Sequence, residues 1–403
     1  MELLTDSTDT TLQIKIFSTK KPTNLYYEQG GMIIIKEAVS KRDIKTFVKF
    51  PFSLYKNSKY WVPPIISEEV KVFDKKTNHV LESADARLFI AYKNGVVVGR
   101  IAAIINWIEV NEQGLRKMRF GWMDMVDDLE VTKLLLGKVK EIGKANNMEY
   151  MEGPMGFTNL DKVGVLTYGF EEIGTMITWY NPPYYMDHFN QLGFKVEKEY
   201  VEHKLKVKNI LFETHERLQA IIKKRNKLRA LTFSKTKDVL IYADRMFDLF
   251  NDSFASLSSF VKITDIQKED LKKKFLSFIN PEYMKFVINE FDELVAFSVI
   301  MPSYSNALQK INGNLFPFGV FHILKARKSK TVDLYLIGVH PNYQKKGVHS
   351  IIFNEFQKTL EKNEIIECRF TPVLADNLSM RNLWADYNLD LIKKRCTFRK
   401  EIN

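Results

Sequence analysis

A short basic segment near the end of the chain has the composition of a phosphate-binding turn. It follows an apolar run from Leu334 to Val339 that predicts a strand, and it precedes an amphipathic pattern that predicts a helix ending near Lys362. A helix begins with unpaired N–H groups and a partial positive charge, and a glycine there lets a ligand approach the main chain. We therefore expect a phosphate to bind at Gln344, Lys345, Lys346, Gly347, Val348 and His349.

This segment resembles the pyrophosphate signature of the GNAT acyltransferases, Gln-x-x-Gly-x-Gly/Ala, which lies between a fourth strand and the following helix. Gln344 and Gly347 match it, whereas His349 stands where the family has Gly or Ala. Farther along, the segment that begins at Asn377 resembles the family's Asn-x-x-Ala-x-x-x-Tyr segment. Asn377 matches, and Trp384 takes the place of the tyrosine that commonly protonates the departing thiolate.

The resemblance implies that the chain uses acetyl-CoA or a related acyl-CoA. In the family, backbone N–H groups of the fourth strand hold the pantetheine and the thioester carbonyl, and the turn holds the pyrophosphate. Carried over to this sequence, the residues expected to contact acyl-CoA are Ile337, Gly338, Val339, Gln344, Lys345, Lys346, Gly347, Val348, His349 and Asn377.

Acyl transfer to an amine also requires a group that accepts the proton of the amine and a group that stabilises the leaving thiolate. Asp333 on the predicted strand, His340 at its end and Glu367 on the next strand are candidates for the base. Tyr387 lies three residues past Trp384 and is a candidate for the acid. Spacing alone distinguishes none of the three base candidates. The catalytic residues predicted are Glu367, Asp333 and Tyr387.

The first half of the chain predicts strands and helices in the order of a mixed α/β unit. Two β-rich runs between Leu88 and Ala103 meet at Asn94-Gly95, a pair that tolerates the positive φ angles of a hairpin turn. A strand and a helix follow between residues 119 and 146. Asp127 and Asp128 stand where the second half has its basic turn, so they would cap the helix and repel a pyrophosphate.

The second half repeats this order of elements, with little residue identity to the first. The expected fold class is therefore α/β (α+β), with two tandem GNAT-like domains, each a central mixed twisted sheet flanked by helices. We expect a flexible extension at 1–31, an N-terminal domain without the phosphate signature at 32–205, and a C-terminal domain with the candidate acyl-CoA site at 206–403. The polar composition before Met32 makes that residue a candidate for the true start.

The chain resembles a bacterial group of double-domain GNAT-like proteins, mostly of unassigned substrate, in four segments rich in Gly, Pro and aromatic residues: 50–55, 60–64, 153–156 and 180–185. Such segments suit a binding surface, and they equally suit packed turns. The candidates for a substrate cleft between the halves are Tyr180, Asn181, Tyr184, Tyr185, Gly153 and Gly156.

Composition limits the possible partners and the compartment. The 403 residues carry a net charge of +11, which suits an anionic ligand, but no nucleic-acid signature accompanies it, so nucleic acid is not the expected partner. Two cysteines without metal-ligand spacing predict a reducing compartment and no metal. No apolar run is long enough to span a bilayer and no secretory signal is recognisable, so we expect a cytoplasmic protein with no membrane partner. We expect a monomer or a homodimer. Phe316, Phe318 and Phe321 are expected in the core rather than around an acyl chain.

Three functions remain open at this stage. The first is an N-acyltransferase, most simply an N-acetyltransferase, that acts on a small-molecule or other amine acceptor of unknown identity. The second is a non-catalytic GNAT-like protein that binds coenzyme A or another small ligand, which His349, Trp384 and Phe189 favour because they replace family residues. The third is an aminoacyl or peptidyl transferase that uses charged tRNA, which lacks support from any evident helical arm or long basic insertion.

Overall fold

The computed structural model describes residues 31–210, 212–255, 257, 260–275, 280–384 and 387–402. The predicted extension at 1–31 lies outside these residues apart from Gly31. The elements of the first half are β1 (Ile33–Glu37), α1 (Lys41–Leu54), α2 (Ile66–Lys71), β2 (Ala84–Lys93), β3 (Val96–Asn106), α3 (Trp107–Asn111), β4 (Lys117–Met125), α4 (Leu129–Ala145), β5 (Tyr150–Gly153), β6 (Val165–Tyr168), α5 (Tyr184–Gln191) and β7 (Lys195–Lys206).

A helix joins this half to the second one. The elements from there on are α6 (Phe212–Asn226), β8 (Arg229–Thr232), α7 (Thr236–Phe254), α8 (Asp265–Phe275), β9 (Met284–Ile288), β10 (Leu294–Pro302), α9 (Ser305–Ile311), α10 (Gly319–Ala326), β11 (Thr331–Val339), α11 (His349–Lys362), β12 (Glu367–Phe370), β13 (Val373–Leu374), α12 (Leu378–Leu383) and β14 (Asp390–Glu401).

The structure confirms two local predictions, a hairpin turn and a helix cap. Asn94 and Gly95 have φ angles of 52° and 78° and join β2 to β3 in an antiparallel hairpin. At the start of α4, the carboxylate of Asp128 accepts the N–H of Glu130 at 3.0 Å, so the predicted helix cap is confirmed. The helix predicted over 379–387 is shorter, because α12 ends at Leu383.

All fourteen strands in the described residues belong to one mixed sheet, and the two halves exchange their last strands. The order across the sheet is β1-β2-β3-β4-β5-β14-β7-β12-β11-β10-β9-β8. The C-terminal strand β14 pairs with β5 of the first half, and β7 of the first half pairs with β12 of the second. Each half therefore completes the sheet of the other, and residues Ile33–Asn403 form one compact unit.

Helices cover both faces of the sheet. In the second half, α7 packs on one face around Phe286 and Phe297, and α11 packs on the other around Val332 and Cys368. In the first half, α4 and α5 bury a cluster that includes Phe398 of the exchanged strand β14. Among the described helices, none combines the length and the apolarity needed to cross a membrane.

Candidate active site

The parallel strands β11 and β12 separate before β11 ends, which opens a slot in the second half. Their pairing runs from Thr331 opposite Glu367 to Leu334 opposite Phe370 and stops there. Beyond this point Thr371 still contacts β11, donating its N–H to Leu334 O at 3.3 Å, but β13 then pairs with β7 instead. β11 continues to Val339, so its last residues have a sheet partner only on the β10 side.

The backbone of Ile337 and Val339 faces this slot. Along an antiparallel ladder, one pair of residues exchanges backbone hydrogen bonds, and in the next pair the N–H and C=O groups point away from the partner strand. The N–H of His340 donates to Val295 O on the β10 side at 2.9 Å, so the N–H of Val339, one residue earlier, points to the opposite edge. By the same alternation the N–H of Ile337 faces the slot, whereas Gly338 is directed to Phe297 on β10.

The basic turn after β11 is the segment predicted to bind a phosphate. None of the five backbone N–H groups from Lys345 to His349 is bonded within the described residues. Lys345 and Lys346 are exposed, and α11 starts at His349. Gly347 has φ +76°, and a Cβ at this position would clash with Ile222 of α6. The free N–H groups, two lysines and the helix terminus together suit a diphosphate.

The side chains that flank the turn have contacts of their own. The ring of His349 lies 5.7 Å from the ring of Phe353, one turn farther along α11, and burial lowers the pKa of His349. Gln344 donates its amide to Val339 O at 3.1 Å, which ties the turn to the strand end. Asn377 accepts the N–H of Met380 at 3.1 Å and so caps α12, which is a structural role.

The equivalent slot of the first half is filled by two tyrosines. Met125 corresponds to Val339, because the next residue, Val126, donates its N–H to β3 just as His340 donates to β10. The hydroxyl of Tyr184 donates to Met125 O at 2.6 Å, and Met125 N–H donates to the hydroxyl of Tyr185 at 3.1 Å. With Asp128 capping the next helix, the Met125 end of β4 offers neither a free N–H in the slot nor a basic turn.

These contacts make most of the predicted cleft residues internal packing residues. Asn181 exchanges two hydrogen bonds with the backbone of Leu166, at 2.7 and 3.1 Å. Gly153 and Gly156 are buried where a Cβ would clash with Phe120 and Asp161 respectively. Tyr180 borders a cavity of about 20 Å³, room for about one water molecule.

Asp333 is the carboxylate placed closest to the slot on the β11–β12 ladder. It lies one residue before the last paired position and opposite Arg369. Its side chain is buried, and Oδ1 has no hydrogen-bond partner within the described residues. Burial raises the pKa of Asp333 to about 7, against the opposing charge of Arg369. A base of this pKa is matched to proton transfer at neutral pH.

The other two candidates for the base have partners that explain them structurally. Glu367 is the first residue of β12, at the end of the ladder remote from the slot, and accepts Nε of Arg369 at 2.8 Å. His340 accepts the N–H of Asn342 at 3.2 Å through Nδ1 and so caps a turn.

Tyr387 belongs to a cluster of aromatic and imidazole rings beside the basic turn. Its hydroxyl shares a hydrogen bond with Nε2 of His215 on α6, and its ring lies 5.3 Å from Trp384. Burial and the neighbouring His349 lower the pKa of His215. Within the described residues, His215 Nδ1 and Trp384 Nε1 are buried without hydrogen-bond partners.

The first half contributes side chains to the face of the sheet that carries Asp333. Leu160 and Met176 pack against the same hydrophobic cluster as Tyr335 of β11. Asp161, the residue after Leu160, lies near Tyr335 on β11. Burial and the Asp161 carboxylate both raise the pKa of Tyr335. This face is therefore closed by apolar groups from the other half of the chain.

The architecture defines the class of the protein: the chain has the double-domain GNAT fold. A tandem GNAT protein from the clavulanic acid biosynthesis pathway superposes with a TM-score of 0.54 at 10% identity, over 92% of this chain and 99% of that one. No protein-family model matches the sequence.

Two curated proteins are similar in sequence. Protein YghO of Escherichia coli K12 is 24% identical over 391 residues, which cover 94% of this chain and 97% of that protein. The bacterial ceramide synthase of Caulobacter vibrioides is 23% identical over 308 residues, which cover 75% of this chain and 79% of that protein.

Sequence reasoning missed the residues that come to the site from distant segments. His215 is a single histidine in the polar helix α6, and no spacing in the sequence links it to Tyr387. The role of Leu160 and Met176 depends on contacts across the halves, which leave no local pattern.

Proposed function

We propose that this chain is an N-acyltransferase that binds acyl-CoA in its second half. The observation that carries the proposal is the difference between the two strand ends. Val339 leaves its N–H directed into a slot beside a basic turn, whereas Met125 has both its N–H and its carbonyl occupied by tyrosine hydroxyls. Only the second half can pair its strand with a pantetheine amide and hold the diphosphate beside it.

In this proposal two residues of the chain carry out the two proton transfers of the reaction. The amine nitrogen attacks the thioester carbonyl, which N–H groups of β11 beside the slot polarise, and the C–S bond breaks. The Asp333 carboxylate takes the proton that the amine loses, and the Tyr387 hydroxyl, held by His215, gives a proton to the leaving thiolate. Neither step requires a metal. We place the reaction in the cytoplasm, where CoA thioesters are formed.

We propose a long-chain amino alcohol as the acceptor and a long-chain acyl-CoA as the donor. One of the similar proteins is named a bacterial ceramide synthase, and a ceramide is the N-acyl product of such an amino alcohol. The apolar side chains of Leu160 and Met176 beside Tyr335 suit an acceptor with a hydrocarbon chain.

Coenzyme A binding is tested by thermal unfolding with and without free CoA. We expect stabilisation of about 2.7 kcal/mol at 100 times the Kd. Lys345→Glu with Lys346→Glu removes only exposed groups and should weaken binding at least about tenfold. Gly347→Val should abolish the shift. The matched control is the exposed pair Lys75→Glu with Lys76→Glu, which should keep it. A wild-type protein without a shift, or equal losses in both lysine pairs, contradicts the proposed phosphate turn.

Turnover is tested by thiol release from acetyl-CoA and palmitoyl-CoA with sphinganine and with short amines. We expect release with palmitoyl-CoA and sphinganine that depends on Asp333. Release only with acetyl-CoA and a short amine would keep the acyltransferase and refute the long-chain substrates. A CoA-induced thermal shift without release from any pair would instead indicate the binding-only protein.

A further inference from the structure

The second half carries an insertion that the first half lacks. Between β10 and β11 the chain runs through residues 303–330, which include α9 and α10, whereas residues 107–116 make the equivalent connection between β3 and β4. The inner side of the insertion is apolar: Tyr304, Leu308 and Ile311 form a cluster with Val62 of the first half.

Polar contacts hold the insertion against the first half. Gln309 donates its amide to Lys59 O at 2.8 Å and to Trp61 O at 3.0 Å. Ser305 donates its hydroxyl to Gly174 O at 2.8 Å, and Ile66 N–H donates to Gly313 O at 3.0 Å. These contacts fix the insertion against the first half, and its outer face points away from them.

That outer face is apolar and exposed. Phe316, Phe318 and Phe321 are 76%, 73% and 68% exposed, and Leu324 on the next turn of α10 is 48% exposed. The prediction that these phenylalanines belong to the core is wrong, because α10 turns Ile323 and Ala326 inward instead. Single exposed apolar residues are ordinary, but four large ones within nine residues form a patch that indicates a contact surface.

The charged side chains of the insertion itself have a single sign. Residues 303–330 contain no acidic side chain, and Lys325, Arg327, Lys328 and Lys330 are all exposed directly after the patch. Within the described residues Lys330 pairs with Glu364 at 2.6 Å, while no ion pair engages Lys325 or Lys328. Aromatic and aliphatic side chains that emerge next to basic ones are the combination that binds the interface of an anionic bilayer.

We propose that the outer face of residues 316–328 docks onto the surface of an anionic lipid membrane. The phenylalanines and Leu324 insert at the level of the headgroups, and Lys325 and Lys328 contact lipid phosphates. The sequence-based expectation of no membrane partner considered spanning segments alone, and this contact is peripheral. The inference goes beyond the acyltransferase proposal and does not depend on it, although such docking would bring the chain to lipid substrates.

Sedimentation with lipid vesicles tests the docking surface. The full chain should pellet with vesicles of phosphatidylcholine mixed with phosphatidylglycerol, and much less with phosphatidylcholine alone. Phe316→Ser, Phe318→Ser and Phe321→Ser combined should weaken binding at least about tenfold, with an unchanged melting temperature because these side chains are exposed. The matched control is Phe291→Ser, which removes a phenylalanine that is 75% exposed on the β9–β10 turn.

A second pair of variants separates charge from apolar contact. Lys325→Glu with Lys328→Glu should weaken binding to the anionic vesicles only, and Lys75→Glu with Lys76→Glu should not. Absence of vesicle binding, or equal loss in Phe291→Ser, overturns the proposal. So does a wild-type dimer that the triple variant converts to monomer without loss of vesicle binding, because a second copy then covers the patch. The CoA-induced thermal shift should persist in every variant, so failure here is distinct from failure of the acyltransferase proposal.

Discussion

Replacing Asp333 with asparagine should make the stability of the variant relative to wild type more favourable as pH rises from 5 to 8, although it removes the proposed base. The carboxyl is buried, and its pKa rises from 3.8 to about 7 because burial disfavours the charged form. The folded state therefore keeps a proton that the unfolded state has already lost between these pH values. The free energy of unfolding contributed by this group falls as pH rises through that window.

The size of the effect follows from the two pKa values. Moving a carboxyl from 3.8 to about 7 corresponds to a loss of about 4 kcal/mol once the group is charged in both states. Roughly 1.6 kcal/mol of this loss has occurred by pH 5, so about 2.5 kcal/mol remains between pH 5 and pH 8. Asparagine does not titrate, and the cost of burying its amide is the same at each pH. The difference between variant and wild type should therefore grow by about 2.5 kcal/mol across the window.

Urea unfolding of both proteins at several pH values between 5 and 8 measures this difference. The matched control is Asp124→Asn on β4 of the first half. It removes a buried carboxylate that pairs with Arg100 at 2.7 Å. Breaking a buried pair should destabilise by about 3–5 kcal/mol, opposite in direction. A difference for Asp333→Asn that stays constant from pH 5 to 8 refutes the raised pKa. The same variant with full turnover refutes its role as the base while leaving the pKa intact.

Two further substitutions test the first half and the exchanged strand. Tyr185→Phe leaves the buried N–H of Met125 unpaired and should lower the free energy of unfolding by about 1–3 kcal/mol. The CoA-induced thermal shift should not change, because the affected slot is in the first half. A weakened shift would contradict the assignment of the CoA site to the second half. Phe398→Ala removes a ring of β14 that stacks on Phe189 at 4.5 Å, and should cost about 3–5 kcal/mol in urea unfolding, whereas the exposed Phe291→Ala should cost little.

Local signals in the sequence predicted the elements well. Asn94-Gly95 predicted a hairpin and Asp128 predicted a helix start, and both are present. The phosphate turn at Lys345 to His349 stays a prediction. Each of these features depends on the conformations available to a few consecutive residues, so neighbouring residue types are enough to predict it.

Features that depend on distant contacts were not predictable. β14 pairs with β5 and β7, and no pattern within residues 390–401 indicates which strands flank it. Tyr184 and Tyr185 suited a ligand cleft equally well until their bonds to Met125 were seen. An apolar run such as Phe316 to Leu324 suggests the core by composition, and only the packing of the insertion shows that its outer side is exposed.

The strand exchange explains what the first half contributes although its own slot is closed. β7 covers the edge of β12, which would otherwise end in unpaired N–H and carbonyl groups beside the candidate site. The same half supplies Leu160 and Met176 next to Tyr335, so it shapes the face where Asp333 lies. A separately expressed second half would lack both the strand and the apolar cover. We therefore infer that the proposed acyl-CoA slot belongs to one half but that the proposed acceptor side is built by the two together.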